Sequence, residues 1–475
     1  MKRLSSKTVY CGLLLSAILT IAGCHSMTIF DEPVSLRTDW IAAQGYVYGF
    51  PLMLMEETRA ASATTPYPCA MGGPMNQFVQ KFKTLGPDFR AVVKPNVDTL
   101  YSSAFLDLSE QPMVLSVPEI EDRFYLMAML DAWSNNFAGP GSQTNGGEAM
   151  TYLITGPNWA GQAPAGMTEI AAPTDLVWII GRTEITNPDD LSEVNAIQSS
   201  YTLSPLNPDS AKQYPAYEPD QCQSTEGLDT PEERVKKLDG VSFFTQLDQL
   251  LKQYPPAEDD AMLKKLGLIG VGPYAEYTVA SLSDSNKAAL NDGIGHGQGV
   301  LSTAFDLMSS LSSWSPDPTE IELGDYDQRY LVRAIVAQVG FGANRNQFAT
   351  YMNASQDADL DALDGAKASY TMTFDQNELP PVNAFWSVTV YDEAGFLVKN
   401  SIQRYALGSR SNLEKNSEGG ITITMANQPP KDSPTSNWLP VPEGEFQVTL
   451  RMYWPKAAIL DGQWQPPEIT VSDEE

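Results

Sequence analysis

The apolar residues fall into patterns that change period along the chain. From Asp39 to Arg59 they recur on nearly every face of a helical projection, Trp40, Ile41, Val47, Phe50, Leu52 and Leu54 among them. A helix that is apolar all round is a buried one. Pro51 has no amide hydrogen to give to a helix interior, so the spacing predicts a helix kinked or restarted there. A Pro- and Gly-rich loop follows, through Pro74. Between Phe89 and Arg182 short β-rich runs dominate, at Met113–Val117, Phe124–Leu130, Thr151–Thr155 and Leu176–Ile180, each bounded by turn residues.

Periodicity disappears between Pro205 and Ser224, where Pro, Ser, Asp and Tyr predict a linker or long surface loop. Thr230-Pro231-Glu232-Glu233 reads as a helix start: a capping hydroxyl, a proline at the first position, and acids at the positive end of the dipole. Phe243, Phe244, Leu247, Leu250, Leu251 and Tyr254 keep helical spacing until Pro255-Pro256. A second helical pattern covers about Ser285–Leu311. From Tyr330 onward the pattern returns to strands, notably Tyr370–Phe374, Phe385–Tyr391, Ile421–Met425 and Gln447–Tyr453. Phe124–Asp131 and Phe385–Asp392 echo one another as strands ended by Asp before a Gly-containing loop. The predicted fold is α+β, mainly β, with two β-sandwich lobes joined by a helical middle segment. The expected divisions are a leader over 1–23, a tether over 24–38, lobes over 39–204 and 326–475, and a linker with helices over 205–325.

The first residues change the picture of where this body sits. Met1-Lys2-Arg3, an apolar run from Val9 to Ile21, and Ala22-Gly23-Cys24 have the layout of a secretory signal. The run is shorter than the ~20 residues that a membrane span needs. Ile21-Ala22-Gly23-Cys24 resembles the lipobox of bacterial lipoproteins, which implies acylation of Cys24 and attachment to the outer membrane, since His25 stands where an inner-membrane retention signal carries Asp. The formal charge of −29, or −32 once Lys2, Arg3 and Lys7 leave with the signal, repels phosphate backbones and excludes nucleic acid as a partner. The membrane contact expected is the acyl anchor at Cys24. Besides Cys11 and Cys24 the cysteines are Cys69 and Cys222, which an exported protein can pair or leave as two thiols.

Several stretches resemble a known tandem architecture. Arg90-Ala91-Val92-Val93-Lys94-Pro95-Asn96-Val97-Asp98-Thr99-Leu100-Tyr101-Ser102-Ser103, Leu130-Asp131-Ala132-Trp133-Ser134-Asn135-Asn136-Phe137 and Val177-Trp178-Ile179-Ile180-Gly181-Arg182-Thr183 resemble the bacterial domain of unknown function numbered 1254. Leu379–Ser387, Asn437-Trp438-Leu439-Pro440 and Leu450–Lys456 resemble its companion, the domain of unknown function numbered 1214. The resemblance covers nearly the whole chain after the signal and implies two lobes of β-sandwich or jelly-roll-like character. It implies no reaction.

Candidate chemistry is narrowed by histidine, of which there are two. His25 adjoins the anchor and His296 lies in Gly293-Ile294-Gly295-His296-Gly297-Gln298-Gly299, so a multi-histidine metal site is excluded and no metal or cofactor is expected. That run lacks the spacing of a dinucleotide loop, and close packing or a loop accounts for its glycines. Asp357, Asp359, Asp361 and Asp364 invite calcium, but Ala362 and Ala368 occupy the positions where an EF-hand needs Gly and Glu. The acid–base candidates are Asp98, Tyr101 and Asp131, where polar groups crowd the ends of apolar strands. Arg90, Asn96 and Trp133 are the accompanying ligand-binding candidates. In the C-terminal lobe, Arg404, Asn437, Trp438 and Arg451, with Asn383, Tyr405 and Tyr453, form an aromatic–polar set suited to sugars or other flat polar ligands. Two functional readings stay open: a histidine-independent enzyme acting on a small or carbohydrate-like substrate, and a tethered protein that binds a ligand or supports the envelope without catalysis. Oligomeric state is not set by the sequence.

Overall fold

The structure, a computed structural model, describes residues 37–472 apart from 65–66, 69–71, 90–92, 188, 211, 213, 215–223, 225–226, 257–260, 311–313, 316–320 and 432, with side chains of 210 and 305–310 also set aside. Cys24, Cys69, Cys222 and Arg90 lie outside the described residues, and with them the anchor, the disulfide and one ligand-binding candidate. The chain is mixed α+β, 28% helical and 25% strand.

Period-two alternation explains how the first lobe is layered. Strands β1 (Thr99–Asp107), β2 (Tyr125–Asp131) and β3 (Leu176–Glu184) form the centre of a five-stranded antiparallel sheet, β3 lying between the other two. Ala104, Leu106, Met127, Met129, Val177 and Ile179 point to one face, where they pack on a four-stranded sheet carrying Met113, Leu115 and Ile154. The alternate residues Phe105, Leu130, Trp178 and Ile180 point to the other face and join a helical core. All nine residues of β3 are buried because both faces of its sheet are covered.

The helical layer is built round one apolar rod. Helix α1 (Thr38–Ala63) runs unbroken through Pro51, so the expected restart does not occur. It packs on α2 (Gly240–Gln253), α3 (Asp284–Ser310) and α4 (Tyr330–Val339). The glycine-rich run is helical, and close packing accounts for two of its glycines, Gly293 and Gly297. A Cβ on Gly293 would lie 2.4 Å from both Ala42 Cβ and Asp39 O, and one on Gly297 would lie 2.9 Å from Tyr46 Cβ. His296, between them, faces solvent. The start at Thr230 forms the reciprocal capping box its residues suggest, over the helix Pro231–Lys237. Tyr330–Val339 departs from the strand pattern expected there. Its short run of β-branched and aromatic residues fits either period, and Arg333, Ala334, Ile335 and Ala337 are buried against the helices. Residues 38–63 and 330–339 thus share one core with the middle helices, although the sequence pattern groups each with its neighbouring lobe.

In the second lobe β4 (Ala349–Ala354), β5 (Trp386–Asp392) and β6 (Phe446–Tyr453) form one sheet with β6 in the middle. Met352, Val388, Val390, Val448, Leu450 and Met452 pack on a second four-stranded sheet carrying Met372, Phe374, Ile423 and Met425. This is the expected second sandwich. Its outward face carries Tyr351, Asn353, Ser387, Thr389, Tyr391, Thr449 and Arg451, and most of these are buried too. A polar sheet face is buried only when something polar or wet lies against it. Here the first lobe lies against it. Phe124, Leu126, Phe348, Phe385 and Tyr453 form an apolar seam between the lobes, with the Phe385 and Tyr453 rings 4.2 Å apart.

Candidate functional site

Residues 94–98 pass along the polar face of the second lobe, and that face grips their backbone. Arg451 Nη2 donates to the carbonyl of Lys94 at 2.7 Å, the Tyr391 hydroxyl to that of Pro95 at 2.8 Å, and Arg410 Nη1 to that of Asp98 at 3.0 Å. The amide of Lys94 donates to Gly395 O at 2.8 Å. Pro95 keeps the residue before it out of the right-handed helical region, and Lys94 sits at a φ of +50°, left-handed for a residue with a side chain. Asn96 closes the turn that follows: its Oδ1 accepts from the amides of Asp98 and Thr99, both at 2.9 Å, and its Nδ2 donates to the Tyr101 hydroxyl at 2.5 Å.

Beside this segment lies a cavity of about 350 Å³. The first lobe contributes Lys94, Asn96 and Tyr101, with Trp178, Ile180 and Arg182 from β3. The second contributes Tyr351 and Asn353 from β4, and Thr449, Arg451 and Tyr453 from β6. Ile335, Val336 and Val339 of α4 and the following Phe341 supply an apolar wall. Strand register brings the polar groups together. Tyr101 pairs with Arg182, Tyr351 with Arg451, and Asn353 with Thr449, so each pair projects from one face of its sheet.

Three cations line this space, and among the described residues no carboxylate does. Arg182 Nη1 donates to Asn344 Oδ1 at 3.0 Å, and its Nη2 to Gly342 O at 3.3 Å. Asn344 in turn donates to the Tyr351 hydroxyl. Arg451 Nη1 donates to Thr389 Oγ1 at 3.0 Å. Lys94 Nζ donates to Asn353 Oδ1 at 3.0 Å, an oxygen that also accepts from Thr449 Oγ1 at 2.8 Å. These partners are carbonyls, amides and hydroxyls; among the described residues none of the three cations forms an ion pair. Burial, and then the charge of Arg451, pull the Lys94 amine down to about 8. Burial pushes the hydroxyls of Tyr351 and Tyr453 above their ordinary value, so both remain protonated donors at neutral pH.

The acid–base candidates do not share a cavity. Tyr101 lines it; Asp98 and Asp131 do not. Asp98 accepts from Ser387 Oγ and from Arg410 Nη2, each at 2.6 Å, and so makes an ion pair between the lobes, with Asp98 buried and Arg410 partly buried. Arg410 also lies 3.7 Å from Glu184 Oε1, and its guanidinium stacks 3.7 Å from the Phe385 ring centroid. Asp131 closes its own turn, accepting from the amides of Trp133 and Asn135 and from Asn135 Nδ2, all at 2.9 Å. Burial pushes its carboxyl upward against the pull of those bonds.

Of the ligand-binding candidates, Asn96 and Arg451 line the cavity. Trp133 donates to Tyr254 O at 3.1 Å inside the helical core. Arg404 donates to Trp438 O at 2.7 Å, Trp438 to Ala426 O at 2.8 Å, and Asn437 to Glu414 O at 2.8 Å, which fastens loops at the far sheet. Asp357 turns its Oδ1 onto the amides of Asp359 and Asp361, both at 3.0 Å. Among the described residues no group of three or more His, Cys, Asp or Glu is placed to hold a metal.

Sequence reasoning missed Lys94, Arg182, Tyr351 and Asn353. A signal was present. Arg182 shares the period-two face of Trp178 and Ile180 in a run otherwise apolar, and such a position does not tolerate a cation without a partner or a use. Tyr351 and Asn353 alternate with the core residue Met352 in the same way.

A family model described as "Protein of unknown function (DUF1254)" matches residues 75–205, and one described as "Protein of unknown function (DUF1214)" matches 348–457. The chain belongs to this tandem family. Lys94, Tyr101 and Arg182 fall in the first matched region, and Tyr351, Asn353 and Arg451 in the second. No curated protein matches the chain. The crystal structure of a structural-genomics target from Vibrio parahaemolyticus is similar with a TM-score of 0.68 at 24% identity, over 92% of this chain and 100% of that one, and so has the same fold. An uncharacterised protein from Burkholderia cenocepacia aligns with a TM-score of 0.44 at 11% identity, over 96% and 98% of the two chains.

Proposed function

We propose that this member of the tandem family binds a small organic anion with an apolar body in the cavity between its lobes. One observation carries the reading: Lys94, Arg182 and Arg451 surround a single cavity without a carboxylate among its described lining. A buried cation without a counterion costs several kcal/mol, and a ligand carboxylate supplies that counterion with charge-assisted hydrogen bonds. Hydroxyls of Tyr101, Tyr351 and Thr449 add donors. The wall from α4, Trp178 and Phe341 suits a hydrocarbon body, and the volume falls within the ~300–1,000 Å³ of small-molecule sites. Asp98 and Asp131 are committed to an ion pair and a turn, which favours binding over carboxylate-pair catalysis. Acylated Cys24 would hold such a binding protein at the outer membrane, where it meets diffusing solutes.

Ligands that bind only the folded state raise its stability by ~2.7 kcal/mol at one hundred times Kd. Thermal unfolding of the purified protein with four- to eight-carbon carboxylates, their amides and neutral sugars tests the reading. Carboxylates are expected to raise the midpoint and amides to leave it unchanged. Val339→Trp, which fills the apolar side, and Arg182→Met are each expected to remove the effect. Stabilisation by neutral sugars alone, or by acids as strongly in Val339→Trp as in the unchanged protein, would overturn it.

A further inference from the structure

The Lys94 side chain combines features that a merely structural cation does not need. Its backbone is fixed by Gly395 on one side and Arg451 on the other, with a φ of +50°. Strained backbone of this kind persists where surrounding structure over-determines it. Its amine is held by one neutral acceptor, Asn353 Oδ1, and faces a cavity large enough for a ligand. Asn353 and Arg451 lie on one sheet face, two residues apart in register, so amine and guanidinium address neighbouring atoms of a bound molecule.

We propose that Lys94 Nζ condenses with the carbonyl carbon of an anionic oxo compound, of which 2-oxo acids are the simplest class, to form an imine in this cavity. The inference rests on the anion reading given above. The ligand carboxylate pairs with the cavity guanidinium groups, which sets the adjacent carbonyl beside the amine. Lys94 first releases its proton to solvent. Its lone pair then forms the C–N bond while the carbonyl π bond opens to a carbinolamine. Loss of the oxygen as water, carrying the two hydrogens of the neutral amine, leaves C=N. No electron is gained or lost overall, and no co-reactant is required. Desolvation beside another cation is the arrangement that keeps a lysine nucleophilic near neutral pH, and the amine's fall to about 8 agrees with it.

The test pairs two probes of one shape, 4-methyl-2-oxopentanoate and 4-methylpentanoate, which lacks the oxo group. The purified protein is incubated with each and sodium cyanoborohydride between pH 6 and 9, then read by intact mass and peptide mapping. One adduct is expected, with the oxo acid only, on Lys94, its rate rising toward a plateau above about pH 8. Lys94→Arg keeps the charge and is expected to lose the adduct. If both acids stabilise the protein but no adduct forms, or adducts scatter over surface lysines and persist in Lys94→Arg, the imine is overturned and the anion site stands. If neither acid stabilises the protein, both readings fall.

Discussion

Asp98 and Lys94 stand four residues apart, and the structure gives their charges opposite fates. Asp98 is spent on holding the lobes together through Ser387 and Arg410. Breaking a buried pair by removing one partner destabilises by roughly 3–5 kcal/mol, whereas replacing both partners costs far less. Asp98→Asn is therefore expected to lose a few kcal/mol in chemical denaturation, and Asp98→Asn with Arg410→Met to recover part of it. Lys94 has no carboxylate partner among the described residues, and its folded-state pKa lies below the unfolded value of 10.5. Between about 8 and 10.5 the unfolded chain therefore binds the extra proton, so stability rises with pH across that window. Lys94→Met is expected to flatten this rise in unfolding titrations. An equal slope in both proteins would show that the amine is not desolvated. Sequence reading picked the crowded segment containing both residues and named its carboxylate, which pairs with Arg410 and does not line the cavity. Carboxylates near strand ends advertise acid–base chemistry, but what they pair with is decided by a lobe some 300 residues away.

At the level of elements, sequence was most legible where one period served one buried face. The capping box at Thr230, the run Phe243–Tyr254 and the sandwich strands appear as their residues suggest. Tyr330–Val339 was illegible because β-branched residues in a short apolar run fit helix and strand alike, and packing against α1 decides between them. The glycines of α3 make the same point quantitatively. Gly293 has no room for a methyl group against Ala42, whereas a Cβ on Gly295 meets nothing within 4 Å. Alanine is favoured over glycine in an exposed helix interior by ~1 kcal/mol. Gly295→Ala is thus expected to raise the unfolding midpoint and Gly293→Ala to lower it. Shifts of the same sign would contradict the packing described for α1 and α3.

Across the whole molecule, overall and cavity charge are opposite: a formal −29 for the chain against three lining cations and, among the described residues, no lining carboxylate. Composition could read the first and not the second, because the cavity draws single residues from strands far apart in sequence. Two sandwiches and their companion helices were legible; the site formed where their outer faces meet was not. Among the described residues no helix is long and apolar enough to cross a membrane. The acyl anchor expected at Cys24 predicts that protein from its native host fractionates with membranes and carries lipid on an N-terminal cysteine, and that Cys24→Ser releases it. An unmodified thiol or an intact leader in mass spectrometry would remove that placement without touching the cavity. The cavity itself answers to isothermal titration of 4-methylpentanoate against 4-methylpentanamide into the purified protein. The account predicts saturable one-site binding of the acid, weakened in Arg182→Met, and none of the amide; equal binding of both, or of neither, would contradict it.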